Sequence, residues 1–353
     1  MHNKILFLGD MHLGARSDNI NFKNYLRRYF NEVLFPLIKE EKIETIVQVG
    51  DIFDRRKYIN FHTLYEAYEV FFDFLEKNEI KLITILGNHD VYHKNTLKIN
   101  APELLLRGKY NNIQIINTPT ELEIEGRKFL LVPWICQENT QAVHDAIETS
   151  SAQFLVGHFE FQGFEMQRGV VCDSGTNPDI ASKFDMVISG HFHHKSHIGN
   201  VLYIGIPYEI TWNDFNDQKG VFLLDQTNNL EFVPNHMSLF YKIDYNDKDW
   251  DVEFINNFNY SLYKGCYVKL VVKDKTQPHL FDIFVERLQE SEVADLQILE
   301  EINNILIGDI SLAAEDTVSI INKVIEQYTN LSCDMGDLKK LMFELYSEAI
   351  QVI

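Results

Sequence analysis

Leu82-Ile83-Thr84-Ile85-Leu86-Gly87-Asn88-His89-Asp90 is the stretch that decides how this chain is read. Its apolar and β-branched start makes a buried strand, glycine breaks it, and three polar side chains follow at once. A strand ending on Asn88-His89-Asp90 carries ligand-type groups to the rim of a sheet, where open α/β folds build their sites. The same grammar recurs four times. Ile5–Leu8 ends on Gly9-Asp10-Met11-His12, and Thr45–Val49 on Gly50-Asp51-Ile52-Phe53-Asp54. Phe154–Val156 ends on Gly157-His158, and Met186–Ser189 on Gly190-His191-Phe192-His193. Five strands that each deliver Asp, Asn or His just past a glycine point to one shared metal centre.

The 353 residues, 45% hydrophobic and 12% aromatic, suit one large domain plus a smaller one and argue against disorder. Cys136, Cys172, Cys266 and Cys333 stand far apart, as reduced thiols do and disulfide frameworks or thiolate zinc sites do not. The chain begins directly on a strand, so no signal peptide is expected. No apolar run approaches the ~20 residues that span a membrane. These features lead us to expect a soluble, cytoplasmic protein. The net charge of −20 works against nucleic-acid binding. It is uneven, however: residues 1–110 carry 16 Lys and Arg against 15 Asp and Glu, whereas 276–353 carry 4 against 15. Divalent ions would add local positive charge, and a partner could share the work of holding DNA.

Residues 1–240 read as alternating strands and helices. Helical periodicity covers Asn21–Glu41, where Pro36 should kink or end the helix, and Phe61–Lys77. A short helix is expected near Pro102–Arg107 and another over Glu138–Thr149. The texture turns to β from Ile113, with a hairpin at Glu125-Gly126 and a later pair joined by Gln226–Asn229. Two packed sheets flanked by helices is the simplest architecture for this order, an α/β fold. Tyr241–Asp251 is charged and reads as a linker to a small α/β cap over 241–302. Two amphipathic helices close the chain over 303–353, one through Val318–Tyr328, the other through Leu338, Leu341, Met342, Leu345 and Ile350.

Carboxylate and carboxamide oxygens mixed with imidazoles suit Mn²⁺, Fe²⁺ or Zn²⁺ better than Ca²⁺ or Cu⁺. Asp10 and His12 alternate along a strand end and can turn to one ion. A two-ion site needs one carboxylate between ions ~3.5–4 Å apart, and Asp51 is the natural bridge. Such a pair can hold a hydroxide at neutral pH and aim it in line at phosphorus. His89 reaches the same space and can stabilise developing charge or protonate the leaving oxygen.

These motifs resemble, in order and over residues 1 to about 235, the five motifs of the calcineurin-like metallophosphoesterases. The resemblance implies a two-sheet β-sandwich flanked by helices. It implies one ion held by Asp10, His12, Asp51 and His193, a second by Asp51, Asn88, His158 and His191, and His89 as catalytic histidine. Asp54 and Asp90, just beyond ligands, join the catalytic group as residues that orient or cap it. Some relatives carry histidine where Asp54 stands, so Asp54 is given no phosphate contact.

Within that superfamily the chain is similar to the nuclease subunits of SbcCD-type DNA repair complexes, phage recombination nucleases in particular. The supporting stretches are Gly50–Lys57, Pro133–Asn139, Ser150–His158 and Tyr203–Pro207. The similarity implies a homodimer that degrades duplex ends and single strands with Mn²⁺, with Mg²⁺, Fe²⁺ or Zn²⁺ as alternatives. It also implies an SbcC-type ABC ATPase with a coiled coil, docked through C-terminal helices bearing Leu338, Leu341, Met342 and Leu345. A phage-encoded chain would work in the host cytoplasm.

Blander readings stand beside these. Any one histidine at a strand end is more often a structural polar group than a ligand; the five motifs together are what outweigh that. Arg55, Arg56 and Lys57 read either as a solvated turn or as groups steering a DNA backbone. Tyr208 and Trp212 suit base stacking or core packing equally. His194 and His197 read as surface or structural. The terminal helices could pack on their own domain, though short helices need a surface to bury against. Rival functions are a phosphodiesterase of small molecules, a phosphoprotein phosphatase, and a non-catalytic scaffold of the same fold.

Overall fold

The computed structural model describes residues 3–300 together with 338, 339, 341 and 342. Fourteen of its strands lie between Ile5 and Pro234. The first seven are β1 (Ile5–Leu8), β2 (Thr45–Gln48), β3 (Lys81–Ile85), β4 (Ile113–Ile116), β5 (Thr120–Ile124), β6 (Arg127–Val132) and β7 (Phe154–Gly157). The next seven are β8 (Glu165–Gln167), β9 (Val170–Val171), β10 (Met186–Ser189), β11 (Ser196–Ile198), β12 (Val201–Tyr203), β13 (Gly220–Leu224) and β14 (Leu230–Pro234). One six-stranded sheet runs β14-β13-β1-β2-β3-β4, and a second runs β11-β12-β10-β7-β6-β5.

Strands β1 to β4 are mutually parallel, as are β6, β7, β10 and β12. Parallel strands are buried on both faces, which is why these segments are apolar at nearly every position. Ile5, Phe7, Val47, Ile83 and Ile85 meet Phe129, Leu131, Phe154, Val156 and Ile188 between the sheets. Their neighbours Leu6, Leu8, Ile46 and Leu82 point the other way, onto Phe22, Tyr25, Phe71 and Phe72 of the covering helices. On the far sheet Leu130, Val132, Leu155 and Val187 pack on Val143 and Ile147 of helix Thr140–Thr149. Each such side chain contributes ~1.5–3 kcal/mol when fully buried.

The strand ends are tied to one another as well. Gln48 is polar inside an apolar strand because it works between strands. Its Nε2 donates to the Gly50 carbonyl at 2.5 Å and the Gly9 carbonyl at 3.3 Å. Its Oε1 accepts from Thr84 Oγ1 at 2.6 Å and from Gly50 N at 3.1 Å. The ends of β1, β2 and β3 are thereby tied together. Hairpin β5–β6 turns at Glu125 and Gly126, both at positive φ (48° and 74°), as a two-residue hairpin requires.

Two expectations change. Pro36 does not end its helix: helix Ile20–Tyr29 passes through a π-helical turn, Phe30–Leu34, into helix Phe35–Glu40. The wider turn places the proline, which lacks an N–H, in the first turn of the last segment, where no donor is missed. Phe61–Lys77 contains a π turn of its own at Ala67–Phe72. The stretch expected as a linker, 241–251, instead starts with β15 (Phe240–Asn246). In it exposed Lys242 and Asp244 alternate with buried Ile243 and Tyr245, a period-two pattern whose charged face lowers its apparent apolar content.

By compactness the chain divides into two units. One comprises 1–241, 260–268 and 288–295; the other takes 242–259, 269–287 and, among the described residues, 296–300 with 338, 339, 341 and 342. Strand β15 joins β16 (Tyr267–Asp274) and β17 (Asp295–Glu300) in a sheet of order β15-β16-β17. The second unit has an aromatic core in which Trp250 touches Phe254, Phe258 and Phe284, and Tyr245 touches Phe281. Residues 338, 339, 341 and 342 are helical, and Leu341 is 51% exposed. The expected helix through Val318–Tyr328 and Leu345 lie outside the described residues. Cys136, Cys172 and Cys266 are buried free thiols, and no helix among the described residues is long and apolar enough to cross a membrane.

Asp247, buried in the second unit, accepts from Thr276 N (2.7 Å), Thr276 Oγ1 (2.9 Å) and Gln277 N (2.6 Å). These bonds anchor the entry to helix Pro278–Glu290. Asp247→Ala should destabilise that unit by about 1–2 kcal/mol. Urea unfolding and faster amide exchange over 278–290 would register the loss.

Candidate metal centre

The turns after β1, β2, β3, β7 and β10 converge on one volume. Asp10, His12 and His193 bring one donor atom each within 4.8 Å of one another. So do Asp10, Asp51 and His158, and likewise His12, Asp51 and His89. Asn88 Oδ1 lies 2.9 Å from His158 Nε2 and 2.9 Å from His191 Nδ1. All seven residues expected as ligands are therefore in one place, with His89 beside them.

Glycine at the start of each ligand turn is a packing requirement here. A Cβ on Gly87 would overlap the Asp51 carboxylate, and one on Gly190 would come within 2.5 Å of Asp10 Oδ1. Three of the ligands themselves, His12, Asp51 and His191, have left-handed backbone, with φ of 44°, 55° and 82°. Such conformations cost roughly 1–3 kcal/mol each and persist only where the surroundings enforce them. The enforcement is visible. Met11 N and His12 N donate to the Asp51 carbonyl at 2.9 and 3.0 Å, and His191 N donates to Asp10 Oδ2 at 3.0 Å.

Asp90 supplies more of the same. Expected to orient or cap the catalytic group, it has a buried carboxylate that accepts from Asp51 N, Ile52 N and Gly87 N at 2.8, 3.1 and 2.8 Å. It clamps two ligand turns together, and its oxygens are committed to backbone. Asp54 sits nearer the chemistry. Its Oδ1 lies 3.4 Å from His12 Nδ1, and its carbonyl is 2.5 Å from His89 Nδ1. It orients two imidazoles, as expected of a group behind the ligands.

The donor set fits a pair of divalent ions. His12 Nε2 and His193 Nε2 face each other at 3.0 Å, an approach of two lone pairs that a shared cation or proton relieves. Asp51 Oδ1 accepts from His89 N at 2.7 Å. Its Oδ2 lies 3.8 Å from His12 Nε2 and 3.4 Å from His158 Nε2, one imidazole from each expected ion set, as a bridging carboxylate must. His158 Nδ1 is 2.8 Å from the Val49 carbonyl, which places the proton on Nδ1 and leaves Nε2 for a ligand bond.

Protons balance the buried carboxylates where ions do not. Burial alone would raise Asp51, but the charges of His158 and His89 and the His158 hydrogen bond hold it well below the ordinary range. Burial, with the repulsion of Asp51, lifts Asp10 to about 7. Burial opposes charge on His12, yet the adjacent Asp54 carboxylate and the Asp51 charge raise it to about 9; His158 also rises to about 9, beside Asp51 and Asp10. Burial lowers His89, His191 and His193, the last also through the charges of His12 and Lys219.

Other expected residues are placed differently. Arg55 pairs with Asp18 at 3.0 Å and lies over the Tyr58 ring. Arg56 Nε donates to the Asn88 carbonyl at 2.8 Å, so of the basic run it is Arg56 that braces a ligand turn. Lys57 is exposed. Trp212 is partly buried, packed on Phe240 with ring centroids 4.8 Å apart, and Tyr208 is fully buried with its hydroxyl on the Met11 carbonyl. For Tyr208 packing is the reading that holds; Trp212 packs on one side and keeps part of its surface exposed. Sequence reasoning passed over Gln48, Trp134, whose ring lies 5.2 Å from His191, and Glu160, 3.4 Å from His191 Nε2. Gln48, a polar residue inside an apolar strand, had left a local signal, and Trp134 stands in the Pro133–Asn139 stretch that carries the family resemblance.

Because His12 and His158 hold protons at neutral pH in the ion-free protein, an incoming ion must displace them. Affinity should therefore climb from pH 6 to about 9 and level off above the raised histidine values. Calorimetric titration in buffers of different ionisation enthalpy should show proton release at pH 7; equal heats in all buffers would contradict it.

The chain is similar to known proteins. The calcineurin-like phosphoesterase family model matches residues 3–195. A curated relative, "Exonuclease subunit 1" of Enterobacteria phage T4, is 34% identical over 354 residues, spanning 99% of this chain and 100% of that one. Solved structures aligned to it include a hypothetical protein from Thermus thermophilus (14% identity, 66% of this chain, 98% of that chain, TM-score 0.34). Another is a phosphatase from Mycoplasma pneumoniae (11% identity, 67% of this chain, 94% of that chain, TM-score 0.38). The family match, which includes all five ligand turns, together with the end-to-end relative, shows that this chain belongs to the calcineurin-like phosphoesterase family.

Proposed function

We propose that this chain is a metal-dependent DNA nuclease, the hydrolytic subunit of a DNA repair and recombination complex of the SbcCD type. The observation that carries the reading is the intact donor set, with one Asp51 oxygen facing an imidazole of each ion group. The end-to-end similarity to a phage exonuclease subunit supports DNA as substrate. The oxygen-rich, imidazole-containing donors favour Mn²⁺, with Mg²⁺, Fe²⁺ or Zn²⁺ as competitors. A homodimer and an SbcC-type ABC ATPase with a coiled coil belong to the same proposal. Leu338, Leu341 and Met342 offer the ATPase an apolar contact, and the host cytoplasm is the expected location.

Two divalent ions bound here would supply charge neutralisation at phosphate and an acidified water. The protein does the rest. Asp10, Asp51 and Asn88 hold oxygen donors in a dry rim, and His158 presents Nε2 because Val49 holds its Nδ1. His89 is half-buried, edge-on to His12 with centroids 4.8 Å apart, and its Nδ1–H points to the Asp54 carbonyl. Nε2 is thus left for substrate. Burial keeps this ring neutral until an anionic phosphodiester arrives. The anion raises its proton affinity, and the resulting imidazolium can hand its proton to the leaving oxygen. Arg56, braced on Asn88, is the member of the basic run best placed to meet a phosphate.

The test is hydrolysis of linear duplex DNA by the metal-stripped chain reconstituted with Mn²⁺, run beside bis-p-nitrophenyl phosphate. Nucleotide release from DNA ends is expected, and His89→Asn should retain its ions while losing roughly 10²–10⁴-fold in rate. Full activity in His89→Asn would remove that residue's role. Cleavage of the small ester but never of DNA, even with the ATPase subunit present, would overturn the nuclease assignment.

A further inference from the structure

Behind the ligand turn that carries His191 and His193 lies a cluster of charged groups that the hydrolytic chemistry does not use. Lys219 is buried, 4% exposed, and its ammonium has three acceptors: Asp214 Oδ1 at 2.8 Å, Asp217 Oδ2 at 2.7 Å and the His193 carbonyl at 2.9 Å. An ammonium has three donors, so all are used. Both carboxylates are anchored in turn. Asp214 Oδ2 accepts from Ile210 N and Thr211 N at 2.9 and 2.8 Å. Asp217 Oδ1 lies 3.0 Å from His194 Nδ1, and His194 Nε2 lies 3.5 Å from Glu165.

We propose that Lys219 is a positioning residue for the metal centre, latching the His193 backbone so that its imidazole stays aimed at the ion shared with Asp10 and His12. The inference rests on the two-ion reading of the site. If the Asp214–Lys219–Asp217 cluster served stability alone, its ammonium would need no bond to a ligand residue. Instead the third donor goes to the one carbonyl between His193 and His194, and Asp217 holds the next ring along. The turn needs an outside hold, since His191 is left-handed and the only other donor to the His193 carbonyl in the described residues is Ile206 N, at 3.4 Å. Asp214, Asp217 and Lys219 all lie beyond residue 195, past the segment that the family model matches. The latch thus comes from the 3-10 turn Trp212–Asp214 and the loop that leads into β13, outside the matched segment. The far end of His193 shows what is at stake: Nε2 stands 3.0 Å from His12 Nε2, so a small swing of the ring removes one donor from one ion and leaves Asn88, His158 and His191 untouched.

The full chain, stripped and titrated with Mn²⁺, provides the test through equilibrium dialysis and the magnetic coupling between neighbouring Mn²⁺ ions. Wild type should bind two coupled ions per chain; if it binds none, the metal-centre reading itself fails and the latch with it. Lys219→Met should keep one tight ion and bind the other at least tenfold more weakly, with the coupling lost. His193→Ala should give the same single-ion product, and the double variant should be no worse than either, because the two act on one donor. Lys219→Arg should restore the second ion, since a cavity of about 370 Å³ bordered by Lys219, Glu209 and His236 leaves room for the larger head. Should Lys219→Met fail to fold, the combination with Asp214→Asn and Asp217→Asn removes the unpaired charges and should again hold one ion. Two wild-type ions in Lys219→Met or in its combination with Asp214→Asn and Asp217→Asn, or equal weakening of both ions there, would overturn the latch while leaving the metal centre standing.

Discussion

Asp10 and Asp51 are fully buried carboxylates that share donors with one another's imidazoles, and everything around them answers to that crowding. Two carboxylates in a poorly solvated volume repel and lose hydration, so each must be met by positive charge or by hydrogen bonds. In the ion-free protein the answer is protons: His12 and His158 are pushed to about 9 while Asp51 stays ionised. With ions bound, the same groups would serve as donors and the protons would leave. The site is thus matched to a cation by its own electrostatics, and its tautomers are preset by the Val49 and Asp54 carbonyls.

That match is held against backbone strain. His12, Asp51 and His191 adopt left-handed conformations that side-chain-bearing residues avoid. The sandwich between and outside its sheets is large enough to sustain a few such residues. What keeps them from relaxing is local: the Asp51 carbonyl receiving two amides from the first turn, Asp90 clamping the second and third, and Gln48 tying the strand ends beneath. A carboxylate such as Asp90, which touches no expected ion yet receives three short backbone bonds, is as necessary to the geometry as a ligand.

The acid-rich composition and the proposed DNA substrate are reconciled by distribution. Residues 1–110 are nearly balanced in charge, and two divalent ions would turn the Asp-rich rim positive where a phosphate must sit. Of the nearby basic side chains, Arg55 is held by Asp18 whereas Arg56 is braced on a ligand turn. Phosphate affinity in this region would therefore come from bound ions and from Arg56 more than from a basic surface.

The sequence alone determined the buried strands, their order and the residues at their ends, because a strand buried on both faces must be largely apolar and a ligand turn against another carboxylate must begin with glycine. Local rules of that kind leave marks within ten residues. The same rules missed β15, whose charged face masked its alternation, and at Pro36 they could not say that a π turn would absorb the missing donor and let the helix continue. Only the tertiary structure decided which polar groups support the ligands. Asp90 reaches back across 39 residues to Asp51 N, and Lys219 reaches the His193 carbonyl from a stretch that reads as a polar loop. Asp217 meets His194 across 23 residues. Partnerships of that kind depend on how the two sheets bring distant turns together, and no periodicity or spacing records them, since a hydrogen bond between remote segments constrains geometry and leaves no repeating pattern in the chain.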